Sequence, residues 1–464
     1  MKQTATQVVK TLQDAGFQAV FAGGCVRDML LNRVPNDYDV ATDATPDQVE
    51  KLFDKTVAVG KSFGVVVVLK NSFEVEVATF RNDGQYSDGR HPENVTFSTM
   101  EKDAKRRDFT MNALFLDPVT NVLYDFVNGE QDLKDKVLKF VGDPYNRLTE
   151  DKLRMLRTVR FAARYGFTVD PNSWDAVKQN ADQIDQVSNE RVFSELTKMF
   201  VSNHPDQALD LLYEAGLLQE VLPEVFALKK VEQGLKYHWR EARVCKLGSF
   251  EPFEPFDPNN SEHLDPEKYV LDRGDTFVHT KLVMTFTRPD PVMRWGALLH
   301  DVGKPSTFRM RKGNHTFYGH EEVGEKLADK VLRRFKTSNE FRAAVTYLVR
   351  DHMRFFNVSK MKTATLKRMF REPFYLDLQE LHKADVQSSD GNLAMYEYAV
   401  EKYAELSKSL KLEPLLSGYD LMALGLKPGP VFKKLLRDVE TLQLENKLTT
   451  KDQALEYVKE HNNE

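Results

Sequence analysis

Asp37-Tyr38-Asp39 puts two acids at alternate positions of an extended segment, so both carboxylates face one side. Carboxylates this close repel unless a cation lies between them, and a divalent ion does that best. Upstream, Gly23-Gly24-Cys25-Val26-Arg27-Asp28 follows a strand pattern, Ala19-Val20-Phe21-Ala22, and leads into a helix expected from about Val26. A glycine turn there lets backbone N–H groups approach phosphate oxygens, while Arg27 adds charge. A phosphate cradle beside metal-binding acids suggests nucleotidyl transfer. Cys25 is either a thiol nucleophile or a small residue filling the turn.

Three further segments carry chemistry. Glu74-Val75-Glu76 alternates along a strand, so the acids share a face, and Glu76 is the one expected to complete a carboxylate trio for two cations. Such a pair of ions would activate an attacking hydroxyl and stabilise leaving pyrophosphate. Lys105-Arg106-Arg107-Asp108-Phe109-Thr110-Met111-Asn112 joins a basic cluster to an acid and an amide, suited to ribose and triphosphate, with Asn112 hydrogen-bonding. From Glu150 to Arg160, Asp151, Arg154, Arg157 and Arg160 recur every third residue and predict one stripe on a helix, beside an apolar stripe of Leu153, Leu156, Val159 and Ala162. Residues 147–164 hold six basic and two acidic side chains in a chain of net charge −5, an excess that points to a bound polyanion.

Asp151 and Arg154 have a sharper use. Cytosine and adenine each present an amino donor beside a ring-nitrogen acceptor, where guanine and uracil present a carbonyl in place of the amine. A carboxylate accepts from the amine and a guanidinium donates to the ring nitrogen, so the two residues could select C and A without a template. An ordinary ion pair within the helix is the alternative.

A second constellation lies downstream, where six of the eleven histidines fall between His279 and His382. His300-Asp301 places adjacent ligand types at an expected helix end, and His279 and Asp385 flank them in sequence. Histidine and aspartate together bind divalent transition metals that generate hydroxide for phosphoester attack. His315 and His382 read as surface residues.

The elements that must position these groups follow from pattern and composition. At 464 residues, 41% hydrophobic and 29% charged, the chain is expected to be globular and to form several domains. Helices are predicted over 6–15 and 46–54, strands over 63–69, 73–80 and 122–126, and an almost wholly helical chain from Pro144 onward. A Pro-rich interruption at about 247–276 and a weaker one near 408–418 read as boundaries. Cys25 and Cys245 stand in unrelated contexts, which excludes a disulfide framework and a cysteine zinc site and fits a reducing cytosol. The longest aliphatic run, Val65 to Leu69, is too short for a membrane span, and no apolar stretch near Met1 reads as a secretory signal. A cytoplasmic location without membrane attachment is the expectation.

Together, G-G-C-V-R-D, D-Y-D-V-A-T, R-R-D-F-T-M-N-A, E-D-K-L-R-M-L-R and N-E-R-V-F-S-E-L, in this order over roughly the first 200 residues, resemble the bacterial-type (class II) tRNA nucleotidyltransferase and poly(A) polymerase family. The resemblance implies an α+β architecture: a small mixed-sheet nucleotidyltransferase head over 1–145, a helical neck and body over 146–250, and a helical tail over 410–464. It implies CCA addition to tRNA from CTP and ATP. Poly(A) synthesis, or addition of only CC or only A, is the nearest rival.

By position, Gly23, Gly24, Arg27 and Asp28 would form the triphosphate turn, and Asp37 and Asp39 would bind Mg2+. Arg107, Asp108 and Asn112 would contact the nucleotide, with Asp151, Arg154, Arg157 and Arg160 reading base and phosphates. Residues 83–90 look like the loop such enzymes use when switching to A addition. His91 and Leu148 depart from the residues usual at those positions. The order His279, His300-Asp301, His320, His352, Asp385 resembles an HD-type phosphohydrolase over 271–395. That implies a metal site at His279, His300, Asp301 and Asp385 for Ni, Mn, Co or Fe. A phosphohydrolase whose head only binds RNA is the more distant alternative. The segments 415–422 and 425–430 look like the tail of longer family members.

Overall fold

The computed structural model describes residues 1–60, 63–83, 95–229, 231–232, 275–312, 314–407, 410 and 413–461. Most of the loop at 83–90, together with His91 and most of the interruption at 247–276, lies outside them. The chain divides into two compact units, one of Met1–Phe226 with Arg334–Lys336, the other of Ala227–Arg333 with Thr337–Glu464. Among the described residues no helix is long and apolar enough to cross a membrane.

In the first unit the strands are β1 (Ala19–Ala22), β2 (Val40–Thr42), β3 (Thr56–Gly60), β4 (Val65–Lys70), β5 (Phe73–Thr79), β6 (Arg81–Asp83), β7 (Val95–Phe97), β8 (Leu114–Leu116) and β9 (Leu123–Asp125). Seven of them form one mixed sheet in the order β3-β4-β5-β2-β1-β8-β9, and β6 pairs with β7 separately. The β4–β5 hairpin turns at Asn71 and Ser72, both at positive φ, where asparagine is tolerated best. The parallel register Val40↔Val77 between β2 and β5 brings the segment ending at Asp39 alongside the strand that carries Glu76. Helices α1 (Lys2–Asp14), α2 (Gly24–Leu30) and α3 (Pro46–Leu52) interleave with the strands. A capping box between Thr45 and Gln48 starts α3, with Pro46 at its first position.

Helices α4 (Met100–Lys105), α5 (Gly129–Lys134), α6 (Pro144–Glu150) and α7 (Arg154–Tyr165) complete the part that concerns the site. Asp143 caps α6, accepting from the Asn146 N–H at 2.8 Å, and α7 ends at Gly166 in the left-handed region. Three expectations need correction. Asp37 and Asp39 precede β2 rather than lying within a strand; Tyr38 is buried between them, so the alternation survives in extended chain. Helix α2 begins at Gly24. Asp151 caps the end of α6 in extended conformation, so it is not on the helix that carries Arg154, Arg157 and Arg160. The chain after Pro144 also contains a short parallel pair, completed by β10 (Val137–Leu138) with β11 (Thr168–Val169), and a hairpin, β12 (Arg309–Arg311) with β13 (Asn314–Thr316).

The second unit is helical around a core in which Thr276–Phe286, Pro291–Leu299, Asn339–Asp351 and Tyr375–Ser388 pack on one another. Trp295, Phe277, Phe355 and Tyr375 are fully buried there. Toward the C-terminus, Leu421, Leu435, Val439, Ala454 and Val458 form a small separate cluster, and Lys367 donates to the Leu444 carbonyl at 2.8 Å.

Candidate active sites

The first site begins at Gly23, which stands at φ +68 between β1 and α2. That left-handed φ favours glycine, and a Cβ there would lie 2.7 Å from Arg107 Nη1, so any other residue would push the guanidinium aside. Arg107 donates to the Asn112 carbonyl at 3.1 Å and to Asp103 Oδ2 at 3.0 Å. Its charge also acts on Asp39. Burial, then Asp37, then Glu76 push the Asp39 carboxyl up to about 6, with Arg107 opposing. Asp37, Asp39 and Glu76 are therefore close enough to repel, as expected of acids that await a cation. Asp37 and Glu76 are exposed.

Arg27 is buried and fully engaged. It donates to Asn112 Oδ1 at 2.6 Å and to Asp28 Oδ1 at 2.8 Å, and stacks over Tyr165 at 4.7 Å. Tyr165 in turn donates to Asp28 at 3.0 Å. Asn112 donates to Asp108 at 3.1 Å, and Asp108 pairs with Arg157 at 2.5 Å. Burial works against ionising Asp108, but Arg157, Asn112 and the Phe109 N–H outweigh it and hold the carboxyl at about 2. Helix α7 is thereby bound to the head at Asp108 and at the turn that carries Arg27 and Asp28.

The arginine stripe is not an unpaired polyanion site. Arg154 donates to Glu150 at 2.5 Å and to the Arg147 carbonyl at 2.6 Å, Arg160 pairs with Glu195 at 2.6 Å, and Arg191 pairs with Asp151 at 2.7 Å. The local excess of positive charge is offset by acids on other elements. Asp151 and Arg154, expected as a free pair, each hold another partner. Cys25 is buried and its thiol is pushed up to about 12, by burial first and then by Asp39, so it is no nucleophile.

The second unit brings all six candidate ligands together. His279 and His300 approach through Nε2 at 3.2 Å, and His320 and His352 at 3.1 Å. Asp301 lies between the pairs. Its Oδ2 is 3.1 Å from His300 and 3.6 Å from His279, and its Oδ1 is 3.4 Å from His320 and 3.8 Å from His352. Asp385 is 3.1 Å from His279. All six are buried. The Nδ1 atoms of His300, His320 and His352 each face a backbone carbonyl three residues back, at 2.7, 2.9 and 2.7 Å. A donating Nδ1–H leaves Nε2 as a bare lone pair. The ligand atoms fall into two close groups, His279, His300 and Asp385 in one and Asp301, His320 and His352 in the other, a buried donor set of the kind that would hold divalent transition metals.

Burial pushes His352 down to about 3, with the neighbouring His300 adding to it. Burial opposes the Asp301 charge, yet His300 and Lys304 hold that carboxyl well below the usual range. His320 and His352 were legible from the order of the motif but not counted among the ligands. His382, expected at the surface, is buried against Phe355 (4.7 Å between centroids) and Phe356 (5.3 Å). His315 is half-buried, with Nδ1 2.8 Å from the Glu232 carbonyl.

Three family models match: the poly A polymerase head domain over 19–139, "Probable RNA and SrmB- binding site of polymerase A" over 166–228, and tRNA nucleotidyltransferase domain 2 over 318–458. The matched segments are thus similar to poly(A) polymerases and tRNA nucleotidyltransferases, each model covering less than half of the chain. A CCA-adding enzyme of Geobacillus sp. (strain WCH70) is 39% identical over 239 residues, 51% of this chain and 59% of that protein. The CCA-adding enzyme of Bacillus subtilis (strain 168) is 43% identical over 218 residues, 47% and 55% of the two chains. The chain thus matches little more than half the length of these curated relatives. The crystal structure of the Bacillus stearothermophilus CCA-adding enzyme in complex with CTP superposes with a TM-score of 0.70 at 24% identity, covering 99% of this chain and 97% of that one. The Thermotoga maritima CCA-adding enzyme complexed with tRNA gives 0.54 at 17% identity, over 98% and 94%. These likenesses show the fold: a mixed-sheet head and a helical remainder arranged as in the CCA-adding enzymes.

Proposed function

We propose that the chain is a CCA tRNA nucleotidyltransferase that adds or repairs the 3′-terminal CCA of tRNA from CTP and ATP without a nucleic-acid template. One observation carries the reading: Arg107, whose charge reaches Asp39, is linked through Asn112 and Asp108 to Arg157 on the neck helix, which supports a shared site for the acids and that helix. The relatives that match about half of the chain are CCA-adding enzymes. Residues 1–145 would act as head and 146–250 as neck and body.

Asp37 and Asp39, with Glu76, would hold Mg2+. Bound there, the ion favours ionisation of the attacking 3′ hydroxyl and neutralises the leaving pyrophosphate. Gly23 and Gly24 would let backbone amides approach a triphosphate beside Arg107, while buried Arg27 and half-buried Asp28 would fix the turn. Asp108 and Asn112 orient Arg107 and Arg157 toward the nucleotide. Asp151 would accept from the amine of C or A and Arg154 would donate to the ring nitrogen, each sharing or leaving its present partner. Positioning and charge neutralisation then supply most of the rate.

The test is incubation with tRNA lacking its 3′ end and labelled CTP and ATP, separately and together. Addition of two C and one A, then a stop, supports the reading. A long ladder with ATP alone would mean poly(A) synthesis, and addition halted at CC or restricted to A would mean a partial enzyme.

A second reading is favoured by the converging Nε2 atoms. The unit holding residues 271–395 would bind two divalent transition metals (Mn, Ni, Co or Fe) through His279, His300, Asp301, His320, His352 and Asp385. Such ions supply a hydroxide nucleophile and charge neutralisation for phosphoester hydrolysis. Lys304, 2.6 Å from Asp301, would counter charge at the ester. Metal-dependent release of phosphate or alcohol from a simple ester, absent in Asp301→Ala, tests it.

A further inference from the structure

The nineteen residues from Val302 to His320 contain Lys304, Arg309, Arg311 and Lys312 and no aspartate or glutamate, in a chain with more acids than bases. Their middle folds into the β12–β13 hairpin, with Arg309 opposite Thr316 and Arg311 opposite Asn314. Two short strands are marginal in water alone, so something must hold them. That support is aromatic. Phe308 packs on His315 (5.2 Å) and Phe317 (5.8 Å), and Lys304 lies 5.5 Å from the Phe317 ring while bonded to Asp301. The hairpin is therefore rooted on the metal cluster at both ends: Asp301 and Lys304 precede it and His320 follows it.

Its outer face is built differently. All of β12 is exposed, Met310 is 58% exposed, and Tyr318 is 78% exposed with the Arg311 guanidinium 5.7 Å from its ring. Cations that follow phosphates beside an aromatic face that accepts any base are how proteins hold single-stranded nucleic acid without sequence preference. A protein partner would call for a continuous apolar patch, whereas here Tyr318, Met310 and the 38%-exposed Phe308 are interspersed with Arg309, Arg311 and Lys312. The neighbouring cluster suits phosphate esters, the other half of the same ligand.

We propose that the β12–β13 hairpin with Tyr318 is a docking arm that holds a single-stranded RNA end, with Tyr318 stacking a base and Arg309, Arg311 and Lys312 following the backbone, so that a phosphate ester of that RNA reaches the cluster around Asp301. This rests on the hydrolase reading and names its substrate class. Hydrolysis there adds water across the ester: a P–O bond forms from the water oxygen, the P–O bond to the ribose oxygen breaks, and that oxygen takes the proton.

The experiment uses the full chain loaded with Mn2+. Hydrolysis of a 3′-phosphorylated oligoribonucleotide and of p-nitrophenyl phosphate is compared in wild type, Tyr318→Ala, Tyr318→Phe and the triple variant Arg309→Ala/Arg311→Ala/Lys312→Ala. For the RNA, KM should rise about tenfold in Tyr318→Ala and more in the triple variant, with recovery in Tyr318→Phe, while KM for the small ester moves less than twofold. Equal changes on both substrates, or none, would overturn the docking arm, as would hydrolysis of the small ester but not of RNA. If the wild type hydrolyses neither, the hydrolase reading falls. The arm is then judged by photocrosslinking a 4-thiouridine hexamer: crosslinks within 304–320 that vanish in the triple variant uphold it, and crosslinks only elsewhere overturn it.

Discussion

The two candidate sites solve the problem of concentrated charge in opposite ways. In the head, Asp37 and Glu76 are exposed and Asp39 is half-buried, so water screens the three acids from one another. In the second unit all six ligands are buried, and the imidazoles of His300, His320 and His352 are already turned by backbone carbonyls. Mg2+ keeps its waters and is often held by one or two carboxylates plus substrate phosphates. A buried, preoriented set of histidines and aspartates instead suits ions that stay with the protein. On the proposed reading the first site would be completed by its nucleotide, the second by its fold.

That contrast can be broken most sharply with a chelator. Brief EDTA should stop CMP incorporation at once, and added Mg2+ should restore it fully. Ester hydrolysis should survive the same exposure, because the buried ions leave slowly. Equal sensitivity of both activities would erase the distinction.

Next in size is the clamp between neck and head. Asp108→Ala should cost about 2 kcal/mol in thermal or urea unfolding, less than the ~3–5 kcal/mol of a fully buried pair because Arg157 is 32% exposed. The acid limb should follow. A carboxyl held at about 2 in the fold contributes stability that is full above its ordinary unfolded value near 4 and is lost as pH falls from there toward 2. Asp108→Asn should flatten that part of the stability–pH curve, and an unchanged slope would remove Asp108 from the clamp.

A smaller effect is expected on nucleotide choice. Arg154→Ala should raise UTP or GTP misincorporation about tenfold in a four-nucleotide assay, the scale of one lost directed contact to a base. Unchanged discrimination with reduced stability would assign Arg154 to its bonds with Glu150 and the Arg147 carbonyl alone.

The same contrast explains what the sequence could disclose. The strand–glycine–helix run around Gly23 was legible because a left-handed turn demands glycine, and the β4–β5 hairpin because alternation stops at Asn71 and Ser72. The order of histidines and aspartates pointed to the buried cluster, since such residues rarely recur in an apolar helical setting without cause. The neck misled. Counting charges along 147–164 misses Asp108 and Glu195, which lie 49 and 35 positions from the arginines they neutralise. Leu114–Leu116 was missed as a strand because three buried apolar residues carry no period. His382 was placed outside because nothing local announces that Phe355 covers it.

Two variants measured side by side test the account most directly. Asp39→Ala and Asp301→Ala, purified without added metal, are assayed for bound transition metal by mass spectrometry and for CMP incorporation into tRNA lacking its 3′ end. The account predicts that Asp39→Ala keeps about the metal content of wild type and loses incorporation by on the order of a thousandfold. Asp301→Ala should lose the metal and keep incorporation. Incorporation by Asp39→Ala near the wild-type rate, or loss of both properties in either variant, would contradict it.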